Sequence, residues 1–419
     1  MAAFGHAEHQ TLRRTVGQRD PFPIPEAGRS GKVRELTHVC NPTVLTWDTC
    51  DHDPQIFGAD SVVVGRQASY RPAGKMPRMT HDWLLVETLG SEPAVVARGL
   101  QTKNLVPISV FLRRNPHLMA IQSAISETVQ AGQGLSSITP KKDRVIRTEV
   151  VRMSDGHIHG VHVWIGPSDA EPPQRPVPGP LVWDLTTGVA TDTAESLRNS
   201  GMNPETEATH DRAFADDLPA RDLNGSEAKV LAMALKPVVG GTLCTTWDVT
   251  DHNGELITVG FVARVLLEPQ DDGSERLVSR AMNWRSEREK AAVRPDNLAQ
   301  RILDGLAQPG VHRALVGLDD WKLLKWLDDP APFFDWRNRD GGQSRIHPAD
   351  ARHMARMTAD FTDGVTTAVL RMRAEDGGWQ PVHMTINRIE LDEDTFAGLI
   401  ALRLPTEDEV AAADLDQLD

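Results

Sequence analysis

The clearest alternation of apolar and polar positions lies near the C-terminal end, over Gly364–Leu404. Apolar residues recur at every second position through Val365–Ala374, Trp379–Glu390 and Phe396–Leu404, with turn residues at Glu375-Asp376-Gly377-Gly378 and Leu391–Asp394. A period of two broken by Asp-Gly clusters predicts three consecutive antiparallel strands sharing one buried face. Before them, Pro348–Thr362 carries Met354, Met357 and Phe361 at helical spacing, and this helix opens on Ile346-His347-Pro348-Ala349-Asp350. Ala314–Leu318 and Trp321–Leu327 predict an opening hairpin over Asp319-Asp320.

A similar order occurs nearer the N-terminus. Trp83–Glu87 and Pro93–Arg98 read as strands around the Gly90–Pro93 turn, and Pro116–Gln130 reads as an amphipathic helix with Leu118, Ile121, Ile125 and Val129 on one face. Gly132 and Gly134 end it, and strands resume at Arg144–Met153 and His157–Ile165 around Ser154-Asp155-Gly156. Five prolines between Pro172 and Pro180 predict a linker, since proline fits neither a helix interior nor a central strand. Beyond it, Thr191–Asp222 is polar, acidic and weakly periodic, which predicts a long surface excursion. Ser226–Lys236 then reads as a helix, followed by a three-strand meander at Leu243–Asp248, Leu256–Leu267 and Glu275–Trp284. Arg285–Lys290 reads as a charged helical connector to a helix over DNLAQRILDGLAQ, with Leu298, Ile302 and Leu306 on one face.

The fold class expected is α+β, with three tandem units at 79–168, 181–290 and 291–405, a linker at 169–180 and a frayed acidic tail at 406–419. Residues 1–78 are rich in Arg, Pro and Gly and predict a poorly ordered extension, with Met79 as a candidate start. One repeat opposes that start: Thr46–His52 echoes Thr246–His252. A second echo, VVRMSDGHIHGVHV at Val150–Val163, matches the hairpin that opens at Gly364, either as a repeat or as convergence on hairpin chemistry.

Composition narrows the function. A net charge of −14 argues against duplex nucleic acid or an anionic membrane as the main partner. The three cysteines, Cys40, Cys50 and Cys244, form no CxxC and no disulfide framework, which suits a reducing, cytoplasmic setting. No apolar run reaches a membrane-spanning length; VLAMAL stops at Lys236-Pro237.

The C-terminal unit resembles a PAS domain in the order His347-Pro348-Ala349-Asp350, Asp363-Gly364, Leu370-Arg371-Met372-Arg373 and Asp376-Gly377-Gly378-Trp379. Weaker landmarks of the same kind, Arg152-Met153, Asp155-Gly156 and Val161-His162, mark the N-terminal unit, and the middle unit resembles a GAF domain in layout. From Met79 onward the chain resembles actinobacterial three-domain PAS–GAF–PAS proteins that lack an attached output domain. The resemblance implies signalling by ligand sensing, partner binding or both.

Candidate chemistry is sparse. His157, His159 and His162 cannot converge on a metal from one strand, so they read as surface histidines. Asp51-His52 and Asp251-His252 are turn material, and the acidic pairs Asp216-Asp217, Asp271-Asp272 and Asp328-Asp329 read as solvated loops. No phosphate-binding loop, dinucleotide fingerprint or nucleophile elbow is present; no histidine has a demonstrable axial haem position, with His347, His353 and His383 left open as candidates. What stands out is an aromatic and Met set, Trp321, Trp326, Trp336, Met354, Met357 and Trp379, that either lines an apolar ligand pocket or fills a core. The expectation is a non-catalytic sensor that binds a small ligand, a protein partner or both, with no metal or cofactor. Its rivals are a scaffold with filled cores and an enzyme using scattered carboxylates or Cys244.

Overall fold

A computed structural model of the protein describes residues 82–139, 142–218, 225–270, 272–288, 298–337, 345–360, 364–413 and 415. The 1–78 stretch, Met79, the Thr46–His52 echo, Phe361 and most of the Arg285–Lys290 connector's continuation lie outside them. Three antiparallel sheets make up the α+β body.

The first sheet contains β1 (Leu84–Glu87), β2 (Ala94–Arg98), β3 (Gln101–Pro107), β4 (Ser136–Ile138), β5 (Arg144–Arg152) and β6 (Ile158–Pro167). Between β3 and β4 come the short α1 (Ile108–Phe111) and the amphipathic α2 (Leu118–Ala131). Helix α2 buries Ile121, Ala124 and Ile125 against the sheet and stops at Gly132, whose φ of 65° is left-handed. Strand β3 was not foreseen, because QTKNLVP lacks alternation and is half-exposed throughout.

The middle sheet holds β7 (Gly179–Asp184), β8 (Val189–Asp192), β9 (Arg212–Ala213), β10 (Thr242–Thr250), β11 (Leu256–Pro269) and β12 (Glu275–Arg285), with α3 (Ala194–Asn199) and α4 (Gly225–Leu235) inserted before β10. After it come α5 (Leu298–Gly305), with Ile302 and Leu306 exposed, and the last sheet. That sheet comprises β13 (His312–Val316), β14 (Leu323–Trp326), β15 (Val365–Arg373), β16 (Trp379–Asp392) and β17 (Thr395–Arg403); α6 (Ala351–Asp360) precedes β15 and α7 (Glu407–Ala413) follows β17.

The strand orders are β3-β2-β1-β6-β5-β4, β10-β11-β12-β7-β8-β9 and β14-β13-β17-β16-β15. Read from the other edge, the middle order repeats the first, and the last differs only by lacking one edge strand. In each sheet the first and last strands pair at the centre, and helices enter between the early strands and the closing meander. The β5–β6 hairpin therefore corresponds to β16–β17, whereas its sequence echo falls on β15–β16. That echo reflects shared hairpin chemistry at different places in the sheet, not a shared position.

Burial shows how the sheets stack. In β11 and β12, Val259–Ala263 and Val278–Trp284 are buried without a break, the mark of strands covered on both faces. Phe261, Ala263 and Ala281 enter the middle unit's own core, while Val262, Met282 and Trp284 pack on Leu85, Val96, Ala97 and Val151 of the first sheet. On the far side, Val230 and Leu231 of α4 share a core with Leu315 and Leu324 of the last sheet. The layers thus run α2, first sheet, middle sheet, α4, last sheet, α6. Close approach at the first seam requires Gly160: a Cβ there would lie 2.6 Å from the Val86 carbonyl and 2.9 Å from Met282.

Three expectations are corrected. Residues Thr191–Asp222 are a surface excursion only in part: Glu205–Ala208 and His210-Asp211 are exposed, but β8, α3 and β9 flank them with Leu197, Phe214 and Leu218 buried. Asp217 is not solvated: its carboxylate takes Arg212 Nη1 and Trp183 Nε1, and Asp192 accepts Arg212 at 2.7 Å and Ser196 at 2.6 Å. Polar residues that satisfy one another can sit in a core, so a polar sequence did not mean an exposed one. The acidic tail begins with a capped helix instead of fraying. Thr406 Oγ1 accepts Glu409 N at 3.2 Å, and Glu409 accepts Thr406 N at 2.8 Å, a reciprocal capping box.

Candidate functional site at the domain seams

The first seam is tied by Arg280 on β12, which is almost fully buried. Its guanidinium reaches Glu268 of its own sheet, Asp155 in the β5–β6 turn at 2.8 Å, and His159 Nε2 at 3.1 Å. His159 Nδ1 in turn donates to the Ala281 carbonyl at 2.8 Å. These two bonds require the neutral ring protonated on Nδ1, because a second proton would face the Arg280 N–H. Burial, aided by Arg280, lowers its pKa to about 4. A second cross-seam pair joins Arg264 of β11 to the buried Glu87 of β1 at 2.8 Å.

His162 has the opposite tautomer. Arg175 donates to its Nδ1 at 3.2 Å, leaving the proton on Nε2, and burial lowers its pKa to about 3. Both histidines are thus buried, correcting the surface reading. Among the described residues no group of three or more His, Cys, Asp or Glu could hold a metal ion.

Beside His162 opens a cavity of about 870 Å³ between the first unit, the proline-rich segment and the end of β12. Trp83 forms one wall, with its ring 5.9 Å from His162 and its Nε1 donating to the Pro173 carbonyl at 2.9 Å. Arg98, Arg175 and Arg285 line it against Asp82 and Glu287. Arg98 is paired with Asp82 at 3.5 Å. Arg175 and Arg285 contact no carboxylate within ion-pair distance among the described residues; Arg285 donates to the Arg198 carbonyl at 2.7 Å.

A second cavity, of about 380 Å³, lies where α4 meets the β13–β14 turn and the last sheet. Its cations are already engaged. Lys236 donates to the Asp394 carbonyl, Lys322 to Asp320 and to the Leu185 carbonyl at 2.7 Å, and Arg388 lies 3.8 Å over the Phe396 ring. Trp321, between two lining residues, holds a left-handed φ of 56°, a conformation that costs a bulky residue on the order of 1–3 kcal/mol.

None of the six aromatic and Met candidates lines either cavity. Trp326, Trp336, Met354 and Met357 are buried together in the core of the last unit, and Trp321 packs at its edge. Trp379 stands edge-on to His347 at 4.8 Å, with Arg373 over its ring at 5.0 Å. It belongs to a latch at the start of α6. Asp350, fully buried, takes Arg371 Nη2 at 2.7 Å and Arg371 N at 2.7 Å, while His347 Nδ1 accepts Ala349 N at 3.2 Å. The His-Pro-Ala-Asp and Leu-Arg-Met-Arg strings are thus two halves of one clamp between helix and strand.

Sequence reasoning missed Arg175, Arg285 and Trp83. Arg175 sits in a stretch legible only as a linker, and no spacing connects it to Arg285. Neither position carries a signal by itself.

Cys244, half-buried on β10, donates to the Lys103 carbonyl at 3.2 Å, and burial raises its pKa to about 11, so it is a thiol at neutral pH. No helix among the described residues is long and apolar enough to cross a membrane.

Comparison with known proteins agrees with the three-sheet layout. The Rv3651-like N-terminal, middle and C-terminal domain families match residues 82–174, 177–286 and 296–413. A crystal structure of an uncharacterized protein from Mycobacterium tuberculosis is 61% identical, with a TM-score of 0.73, covering 80% of this chain and 99% of that one. A sensory box histidine kinase/response regulator from Burkholderia thailandensis is 14% identical with a TM-score of 0.19, covering 31% of this chain and 84% of that one, a likeness too slight to carry an argument. No curated protein matches. Three domain matches in order, spanning most of the chain, make this protein a member of the Rv3651-like family.

Proposed function

We propose that the protein is a non-catalytic sensor built from PAS/GAF-like units, in which a small ligand held at a domain seam alters the packing between units and a partner protein reads the change. The observation that carries this reading is the position of the two cavities. Both lie between units, so a ligand filling either one contacts two units at once and is coupled to their packing. The common strand order of the three sheets and the Asp350–Arg371 latch support the PAS-like assignment. Cys244, held as a half-buried thiol, and His159 and His162, held neutral by burial, offer no activated nucleophile or base at the first seam.

Native mass spectrometry of protein from its natural host, followed by thermal shift against a metabolite panel, tests the reading. A bound species, or stabilisation of about 2.7 kcal/mol at a hundredfold excess over Kd, is the expected result. Neither would remove the ligand from the proposal, and a filled scaffold would then be the better description.

A further inference from the structure

We propose that the cavity between the first and middle units binds a small amphipathic anion, a carboxylate or phosphate on an apolar body, with Arg175 and Arg285 as its anchors. The proposal deepens the ligand-binding reading above and rests on it.

The argument begins with how Arg175 is held. A guanidinium in a cleft is ordinarily oriented by a carboxylate, which also cancels its charge. Here the orienting group is His162, a buried ring kept neutral, which accepts one N–H at 3.2 Å and supplies no negative charge. Arg175 is therefore positioned with no ion-pair partner among the described residues. Arg285 is in the same condition by another route: its bond goes to a backbone carbonyl, and Asp251 and Glu255 act on it only through longer-range attraction. Both guanidinium groups line one cavity. Of the two lining carboxylates, Asp82 is occupied by Arg98, which leaves Glu287 as the opposing charge. In a chain of net charge −14, the lining itself sets three arginines against two carboxylates, with Asp251 and Glu255 acting on Arg285 from outside it.

The rest of the wall joins the polar Gln101, Gln174 and Asn199 to an apolar, partly rigid portion. Leu100 and Val177 present large exposed side chains, Trp83 presents a ring fixed by its bond to Pro173, and prolines 173 and 176 stiffen the remaining side. A volume near 870 Å³ suits a ligand with a ring or short chain behind its anionic head. The second cavity is smaller, at about 380 Å³, and there Lys322 is paired with Asp320 and Arg388 lies over the Phe396 ring.

Isothermal titration calorimetry of the full chain with 2-naphthyl phosphate, 2-naphthoate and neutral 2-naphthol tests the site, the two anions distinguishing a phosphate from a carboxylate preference. One or both anions are expected to bind more tightly than the naphthol. Arg175→Gln and Arg285→Gln should each weaken the anion at least about tenfold, about 1.4 kcal/mol, without affecting the naphthol. Arg175→Lys should recover part of the loss. Glu287→Gln should tighten the anion about threefold, the scale of one exposed charge interaction, a gain that a damaged fold cannot imitate. Equal binding of anion and naphthol, or anion binding indifferent to both arginine substitutions, overturns the anion site but leaves seam ligands in place. Failure of both anions to bind also overturns it, while the native mass spectrum judges the broader reading separately.

Discussion

At the first seam two sheets meet face to face, with Val262, Met282 and Trp284 pressed on Leu85, Val96 and Val151; one knot of charged groups surrounds Arg280 with a neutral histidine in it, and the Arg264–Glu87 pair crosses nearby. At the second, a helical layer separates the sheets. Leu231 of α4 packs on Leu315 and Leu324, and one buried ion pair, Lys325–Glu227, crosses the contact. The same middle unit is thus joined to one neighbour by a contact containing a titratable neutral base and to the other by a buried lysine–glutamate pair. Acid should therefore act on the first seam, and loss of the Lys325 charge on the second.

The largest effect is expected at Lys325, which is fully buried. Lys325→Met leaves the Glu227 carboxylate without its cation and should cost about 3–5 kcal/mol, read as a loss of denaturation midpoint. Adding Glu227→Gln should restore much of it. A single variant as stable as wild type would show that the pair does not hold the second seam.

Acid should loosen the first seam. Unfolded histidine has a pKa near 6.5, whereas folded His159 and His162 lie near 4 and 3. Between these values the unfolded chain binds more protons, so their stabilising contribution is complete above about pH 6.5 and declines as pH falls toward 4 and 3. At pH 5 the loss is about 2 kcal/mol per histidine. Hydrogen exchange at pH 5 and 7, corrected for intrinsic rates, should show β6 and β12 losing protection while β13 and β14 do not. His159→Gln, which can donate to Ala281 and accept from Arg280, should remove about half of the response, leaving the His162 share; an unchanged pH profile in that variant would exclude His159 as a source.

Gly160→Ala should separate the same sheets at neutral pH. Its new methyl meets the Val86 carbonyl and Met282, and such overpacking costs about 1–3 kcal/mol. If its midpoint matches wild type, the seam is looser than its contacts indicate. The smallest effect belongs to neither seam. Thr406→Ala removes the cap of α7, and exchange at Val410 should rise about fivefold, with the global midpoint unmoved.

Much of the sheet framework was legible because alternation over β15, β16 and β17, and helical spacing over α2, report which side of each element is wet. The capping box Thr406-Glu407-Asp408-Glu409 was legible too, and the acidity of the tail concealed it. Asp192, Arg212 and Asp217 were not. Each is a polar residue that pattern reasoning assigns to the surface, and only their mutual pairing makes burial tolerable. The same blindness placed His159 and His162 in solvent. For the candidate site, the concentration of Trp and Met in the last unit was visible, but whether such a set fills a core or lines a cavity depends on what packs beside it.

The sequence by itself determined the α+β class, the Asp-Gly hairpins and the apolar faces, all consequences of backbone geometry and local periodicity. Tertiary structure alone decided that the middle sheet is covered on both sides and that both cavities lie between units. It also brought Arg175 and Arg285 to one cleft. The physical reason is that periodicity reports which residues are shielded from water, whereas the partner that shields them comes from a distant part of the chain.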